Sequence, residues 1–357
     1  GDAITTKDAL IAIGFGALGA VSTTVGDGTI AIGHGAMGGA EMGDGNIAIG
    51  YQSMQNANAA GFHRNTAIGY QTMANVGSNS ADDNVAVGYQ ALTAITTGDD
   101  NTVVGTEAGK SITTGINNTV FGYQALQSAT GNDYNTAIGY RTLYSISGSD
   151  ATEGRYNLAI GYQTGYSTTT GKLNCFVGNN AGYSNTTGQG NTFLGQAAGQ
   201  HSTTAVNNVY VGYFSGFHQS VGSENVAVGQ QNFYGSSNEA NSSAACVAIG
   251  FQSAYGSKAG YGVVAVGRGA LRNIAGSGSY TTAVGQNSGY YASGSYNTFV
   301  GALAGTGGTT SAPYSSGQYN TALGYQALAG FTTGYENIAI GNNAGDAITT
   351  GFKNVAI

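Results

Sequence analysis

The sequence predicts an all-β fold: a repetitive parallel β-roll or β-solenoid of about 19–20 short coils, running through residues 1–357 as a single continuous domain. Two observations predict it. Nineteen glycines, from Gly14, Gly33 and Gly50 to Gly301, Gly324 and Gly341, each anchor a copy of one short phrase, clearest at Asn320–Leu328. Ten of the eighteen spacings between anchors are 17 residues and the rest run from 16 to 23, too short for an independent domain. A fixed short period of this kind is one structural unit stacked on itself.

Counting from the anchor, position −1 is Ile, Val, Leu or Phe in every copy, and position −3 is usually β-branched. Alternate residues of a strand share a face. Ile47, Ile49, Val85, Val87, Val226, Val228, Ile338 and Ile340 are therefore expected to form the core ladder. Only three or four residues precede the glycine, so each strand is short and must turn.

The turns repeat as well. Gly stands at −7 in thirteen copies and Asn at −4 in fourteen, among them Asn46, Asn101, Asn191 and Asn337. Both residue types tolerate positive φ. Two roles are open for the asparagines: a hydrogen-bonded ladder from coil to coil, or turn residues satisfied one by one.

Positions −2 and +4 exchange size. Phe176, Phe193, Tyr210 and Phe299 at −2 go with glycine at +4, whereas Met54, Leu92, Leu143 and Leu328 at +4 go with alanine at −2. One volume that either side chain fills, but not both, accounts for the pattern. Ala159 with Gly165 and Val120 with Leu126 break it, so neighbouring coils must contribute. With −1 and −3 in one layer, −2 falls in a second apolar layer, which identical rods are expected to cover as a three-fold bundle. The alternative is a single-chain solenoid with −2 and +4 at bends inside one coil. Coils about 4.8 Å apart give a rod of roughly 90–100 Å.

Composition narrows the function. Sixty-two glycines, one proline, no tryptophan and 8% charged residues do not describe a typical enzyme. Aliphatic residues in register argue against disorder, and glycine at every third position, as collagen needs, is absent. Net charge is −7 with the cations scattered, so no nucleic-acid partner is expected. No apolar run approaches a bilayer span, so no membrane insertion is expected. Cys175 and Cys246 occupy different positions in their copies and do not suggest a disulfide.

The phrases Ile30–Gly33, Val85–Gly88, Val247–Gly250 and Ile338–Gly341 resemble the head repeats of trimeric autotransporter adhesins and the related shaft repeats of phage tail fibres. The likeness extends over residues 9–357, although coils of the adhesin family are shorter. It implies a left-handed parallel β-roll, a homotrimer, and a role in attachment or in spacing a binding tip from a surface.

No catalytic, cofactor or metal site is expected. His34, His63, His201 and His218 lack zinc spacing, and no copy carries a phosphate-binding loop or a nucleophile elbow. Asp82, Asp83, Asp99 and Asp100 lie at turns, as calcium ligands or as solvated acids. Two surfaces are candidates for binding. One is a row of Tyr-Gln pairs at +1/+2, namely Tyr51-Gln52, Tyr70-Gln71, Tyr89-Gln90, Tyr123-Gln124 and Tyr325-Gln326. Such a row either holds glycans or another rod, or stabilises its own coils. The other is a set of longer inter-coil loops near 144–153, 234–242 and 306–316, the last holding Pro313.

The expected function is a structural and adhesive fibre segment, on a virion or a bacterial cell surface, contacting host receptor or glycan. An alternative is an extracellular filament subunit that polymerises end to end. Gly1–Thr6 recurs at Gly345–Thr350, and Ile357 falls one residue short of another anchor. Thr-Thr pairs such as Thr96-Thr97 raise an ice-binding solenoid, which the irregular spacing argues against.

Overall fold

A computed structural model of the chain describes residues 9–19, 24–39, 41–56, 61–76, 80–148, 152–235, 241–257, 260–274, 278–312 and 314–357. The chain is an all-β parallel solenoid, with no helix among these residues. Nineteen strands of three residues recur from Ile11–Ile13 to Ile338–Ile340, followed by Val355–Ala356. Two short side strands, Thr24–Val25 and Glu41–Met42, pair with each other. The solenoid forms two compact units, Gly1–Phe176 and Val177–Ile357.

In the first unit, successive strands pair parallel and in register, as in Ile47↔Thr66, Thr66↔Val85 and Thr136↔Leu158. In the second the same holds from Thr192↔Val209 to Ile338↔Val355. Like positions therefore stack on like. The coils also bond outside the strands: Gln90 N donates to Tyr70 O, and Leu92 N to Ala108 O. Each three-residue strand is held by the whole circumference of its coil.

The face assignment is the reverse of the sequence expectation. Position −2 points inward: Ala48, Ala86, Phe176, Phe193, Tyr210 and Phe299 are fully buried. Ile47, Ile49, Val87 and Val226 are only half-buried, and Val85, Val228, Ile338 and Ile340 are exposed. The reason lies in the even positions. Asn at −4 shares a face with −2, and its amide needs the many backbone partners that only the interior of the coil supplies.

Those partners form a ladder. The side-chain oxygen of Asn46 accepts from Asn65 N (3.0 Å) and Asn65 Nδ2 (3.2 Å). Asn84, Asn101, Asn118, Asn135, Asn157 and Asn174 continue the chain of bonds in the first unit. In the second, Asn208 bonds Asn191, and Asn354 bonds Asn337. Most of these amides also reach a turn carbonyl, as Asn101 Nδ2 does to Gly115 O (2.9 Å) and Asn208 Nδ2 to Gly222 O (2.9 Å). Cys246, Val263 and Thr281 interrupt the row; Cys246 N still donates to Asn225 Oδ1, and Thr281 Oγ1 accepts from Asn297 N. Of the two open roles for these asparagines, the ladder is the one observed.

The anchor glycines sit at φ from 126° to 140°, where L side chains rarely go. A Cβ at Gly195 would lie 2.6 Å from the carbonyl oxygen of Gly212 in the next coil, and one at Gly229 would lie 2.6 Å from that of Gly250. Backbone touches backbone at this corner, so glycine is required twice over. By contrast, +2, +4 and −5 hold non-glycine residues in the left-handed region, such as Gln71 (51°), Met73 (48°) and Asp83 (58°). Coil stacking offsets that strain, of order 1–2 kcal/mol each.

The interior carries the size exchange. A Cβ at Gly199 would meet the Phe193 ring at 2.5 Å, and Gly216 and Gly305 face Tyr210 and Phe299 in the same way. Met54, Leu92, Leu143 and Leu328 are fully buried in the complementary coils. The copies that break the pairing follow a second rule. At Gly165, the vacant space belongs to Leu143 of the coil before (2.8 Å) and Phe176 of the coil after (3.1 Å). Gly289 repeats this between Leu271 (2.6 Å) and Phe299 (3.1 Å). A leucine at +4 leans forward and an aromatic at −2 leans back, so the two cannot occupy consecutive coils in that order. Accordingly, each of Phe176, Phe193, Tyr210 and Phe299 follows a coil whose +4 residue is glycine: Gly165, Gly182, Gly199 and Gly289.

Candidate binding surfaces

Turning −2 inward turns −3 and −1 outward, and in-register stacking makes them two adjacent rows. In the second unit these rows run through Val226, Val247 and Val264, and through Val228, Ile249 and Val266. Leu194 is 46% exposed, Ile249 40% and Leu323 48%. Ile68 and Phe121 are exposed in the first unit as well. Threonines such as Thr282 and Thr298 interrupt the −3 row, whereas −1 stays apolar. An outward apolar row of this kind marks an interaction surface.

Around the corner from the anchor, the Tyr-Gln pairs build intramolecular ladders. Tyr51, Tyr70 and Tyr89 stack at 5.0 and 5.3 Å, and Tyr123, Tyr140 and Tyr162 at 5.3 and 5.1 Å. Gln71 Nε2 donates to Gln52 Oε1 (2.8 Å), and Gln90 Nε2 to Gln71 Oε1 (3.0 Å). Gln124 joins Glu107 and Arg141, and the bonds from Lys110 and Gln124 hold the Glu107 carboxyl below its usual range. These rows brace the coils, yet the rings stay partly in solvent: Tyr51, stacked between His34 and Tyr70, is 41% exposed and Tyr325, which has Gln326 beside it, 51%.

A further aromatic row, unnoticed in the sequence, lies at +5. Tyr144 stacks on Tyr166, Phe217 on Tyr234, and Tyr234 on Tyr255. The signal was an aromatic recurring five residues after the anchor, masked by Gln, Lys and Thr in other coils. Beside it His201 stacks on His218 (4.9 Å). Burial lowers both imidazole pKa values, and the charge on His201 lowers that of His218 further. The folded state therefore resists protonation that the unfolded chain accepts. Stability should be complete above the ordinary histidine pKa of about 6.5 and fall as the pH drops below it. Thermal melts between pH 7.5 and 5 check this; in a His201→Gln/His218→Gln variant that part of the decline should vanish.

The turn acids are structural in this arrangement. Asp82 Oδ1 accepts from His63 N (2.7 Å), and Asp99 Oδ1 from Asp82 N (2.8 Å). Asp83 takes a two-pronged ion pair from Arg64 (2.6 and 2.7 Å), which lowers its carboxyl pKa. Asp100 accepts none of these side-chain bonds, but its N–H donates to Asp82 O. No group of three or more His, Cys, Asp or Glu side chains gathers as a metal site among the described residues. Cys175 and Cys246 are free thiols, half-buried and buried, and burial raises the Cys246 pKa.

Of the three longer loops, residues 149–151, 236–240 and 313 lie outside the described residues, as does the Gly1–Thr6 phrase. The third loop is tied back by Ser315, whose Oγ accepts from Thr309 N (3.1 Å). A depression of about 380 Å³ opens in the second unit beside Arg268 and Arg272. Among the described residues no helix is long and apolar enough to cross a membrane. No protein-family model matches the chain, and no curated protein matches it either.

Proposed function

We propose that the chain is a structural and adhesive fibre segment, exposed on a virion or cell surface, in which three copies bundle through their outward strand faces. The observation that carries the reading is the outward-facing −1 row, Ile, Val, Leu or Phe in every coil, flanked at −3 by mostly aliphatic residues or threonine. It persists coil after coil in each unit, with one strand every 4.8 Å or so. A partner that covers such a face must match its pitch over many repeats, which a second copy does by construction. Resemblance to adhesin-head and tail-fibre repeats supplies the number three and the adhesive role. The aromatic and amide rows beside the face are the natural surface for a receptor glycan.

Sedimentation and mass measurement test it. The wild-type chain should run at trimer mass, and Val228→Glu/Val266→Glu should run as monomer with its β-sheet spectrum intact, because both residues face outward. A wild-type monomer would overturn the bundle. Filaments of indefinite length would move the assignment to a self-polymerising subunit.

A further inference from the structure

The depression in the second unit is built by departures from the repeat. At +2, where Gln is the commonest residue, this coil carries Gly269, which leaves a gap between Gln252 and Asn287. A Cβ at Gly269 would fall 2.5 Å from Asn287 Oδ1 and 3.2 Å from the Tyr290 ring. At +1, the aromatic is replaced by Arg268, its guanidinium 5.9 Å from the Phe251 ring. At +5, Arg272 takes an aromatic's place in the stack, between Tyr255 (5.3 Å) and Tyr290 (5.5 Å). Its Nε donates to Gln252 Oε1 (3.0 Å) and its Nη1 to Tyr290 Oη (2.9 Å).

Arg272 is thus fixed in place by neutral groups. Among the described residues neither guanidinium meets a carboxylate. The sequence shows why: from residue 240 to residue 335 there is no Asp or Glu, while Lys258, Arg268 and Arg272 all fall there. In a chain of net charge −7 this stretch is the cationic exception. Two guanidiniums lining one gap offer only donors and suit a planar carboxylate. Phe251 and Tyr290 offer ring faces, and Gln252, Gln286 and Asn287 offer amides, the complement of a sugar's C–H face and hydroxyls. The volume lies at the small end of ligand sites and suits one or two sugar rings.

We infer that this depression is a binding site for a carboxylate-bearing saccharide, a uronic or sialic acid unit, gripped by Arg268 and Arg272 over the gap at Gly269. The inference rests on the adhesive part of the function proposed above, not on the number of chains. None of the lining residues belongs to the −3 or −1 rows, so the site does not compete with the strand face.

Calorimetry on the full chain tests it with galacturonate trimer, hyaluronan tetrasaccharide and sialyllactose, each beside its carboxyl-reduced counterpart, and with inorganic phosphate. At least one carboxylated probe should bind, its reduced form at least roughly tenfold more weakly, and the affinity should fall with added salt. Arg268→Gln and Arg272→Gln should each weaken binding by roughly tenfold or more. Gly269→Gln, which restores the common residue, should abolish binding with the charges kept. Binding of no carboxylated probe, equal binding of the reduced sugars or of phosphate, or an unaffected Arg268→Gln variant would overturn it. Mass measured on the same samples reads the bundle separately, so the two ideas fail independently.

Discussion

Gly229→Ala is expected to destabilise the second unit by roughly 3–5 kcal/mol, combining backbone strain with lost hydrogen bonds between coils. The anchor sits at φ 134°, and the added methyl would press on the carbonyl carbon and oxygen of Gly250. The obstacle is backbone, which has no rotamer to yield. Moving the next coil away would break bonds such as Gly250 N to Val228 O (2.8 Å). Because each coil contacts mainly its neighbours, the break should divide the unit's cooperativity at this point. Gly190→Asn is the control. Its φ is 67°, a −5 position where other coils already carry Asn117 and Asn207, and its nearest obstacle is the end of the Asn207 side chain. That change should cost about 1 kcal/mol or less. Urea unfolding compares the two; equal effects would show that the corner tolerates a side chain.

The same corner shows what was legible in the sequence. Period, strand position, turn glycines and parallel stacking followed from the anchors, because a backbone contact that excludes every Cβ leaves an invariant mark. The direction of the strand did not follow. Ile47 and Ile49 look like a core pair by hydrophobicity, and Ala48 between them looks like a surface residue. The informative signal was size compensation. Ala48 answers Met54, and Phe193 answers Gly199, whereas −1 varies freely among Ile, Val, Leu and Phe with no partner adjusting. Compensation belongs to close-packed interiors, so the exchanging pair marks the inside and the uncompensated pair the outside. The asparagine ladder was visible as a recurrence, but its direction needed a known interior. The Arg268–Arg272 depression could not be read from the phrase, since it exists where three rows lose their usual residue at one place.

Tyr210→Ala combined with Gly216→Leu is expected to recover most of the stability that each change loses alone, whereas Phe193→Ala combined with Gly199→Leu is not. Tyr210→Ala alone empties a fully buried site and should cost about 3–5 kcal/mol. Gly216→Leu alone drives a side chain into the Tyr210 ring and should cost about 1–3 kcal/mol or more. Together they write Ala at −2 and Leu at +4, the pairing of Ala86 with Leu92, and leucine holds that position at φ 51°. The next coil carries Ala227, so a forward-leaning leucine meets no ring. A favourable coupling of about 2–3 kcal/mol should result. The coil anchored at Gly195 has the same internal chemistry but a different successor, Tyr210, which stacks on Phe193 at 4.9 Å. There the new leucine would lean into the space that an aromatic at −2 takes when it leans back, as Phe176 and Phe299 do over Gly165 and Gly289. Its double variant should be no more stable than the worse single. Denaturant unfolding of both cycles decides the point: equal coupling would confine the shared volume to one coil. Unequal coupling would show that the interior is ordered along the chain, each coil restricting its successor.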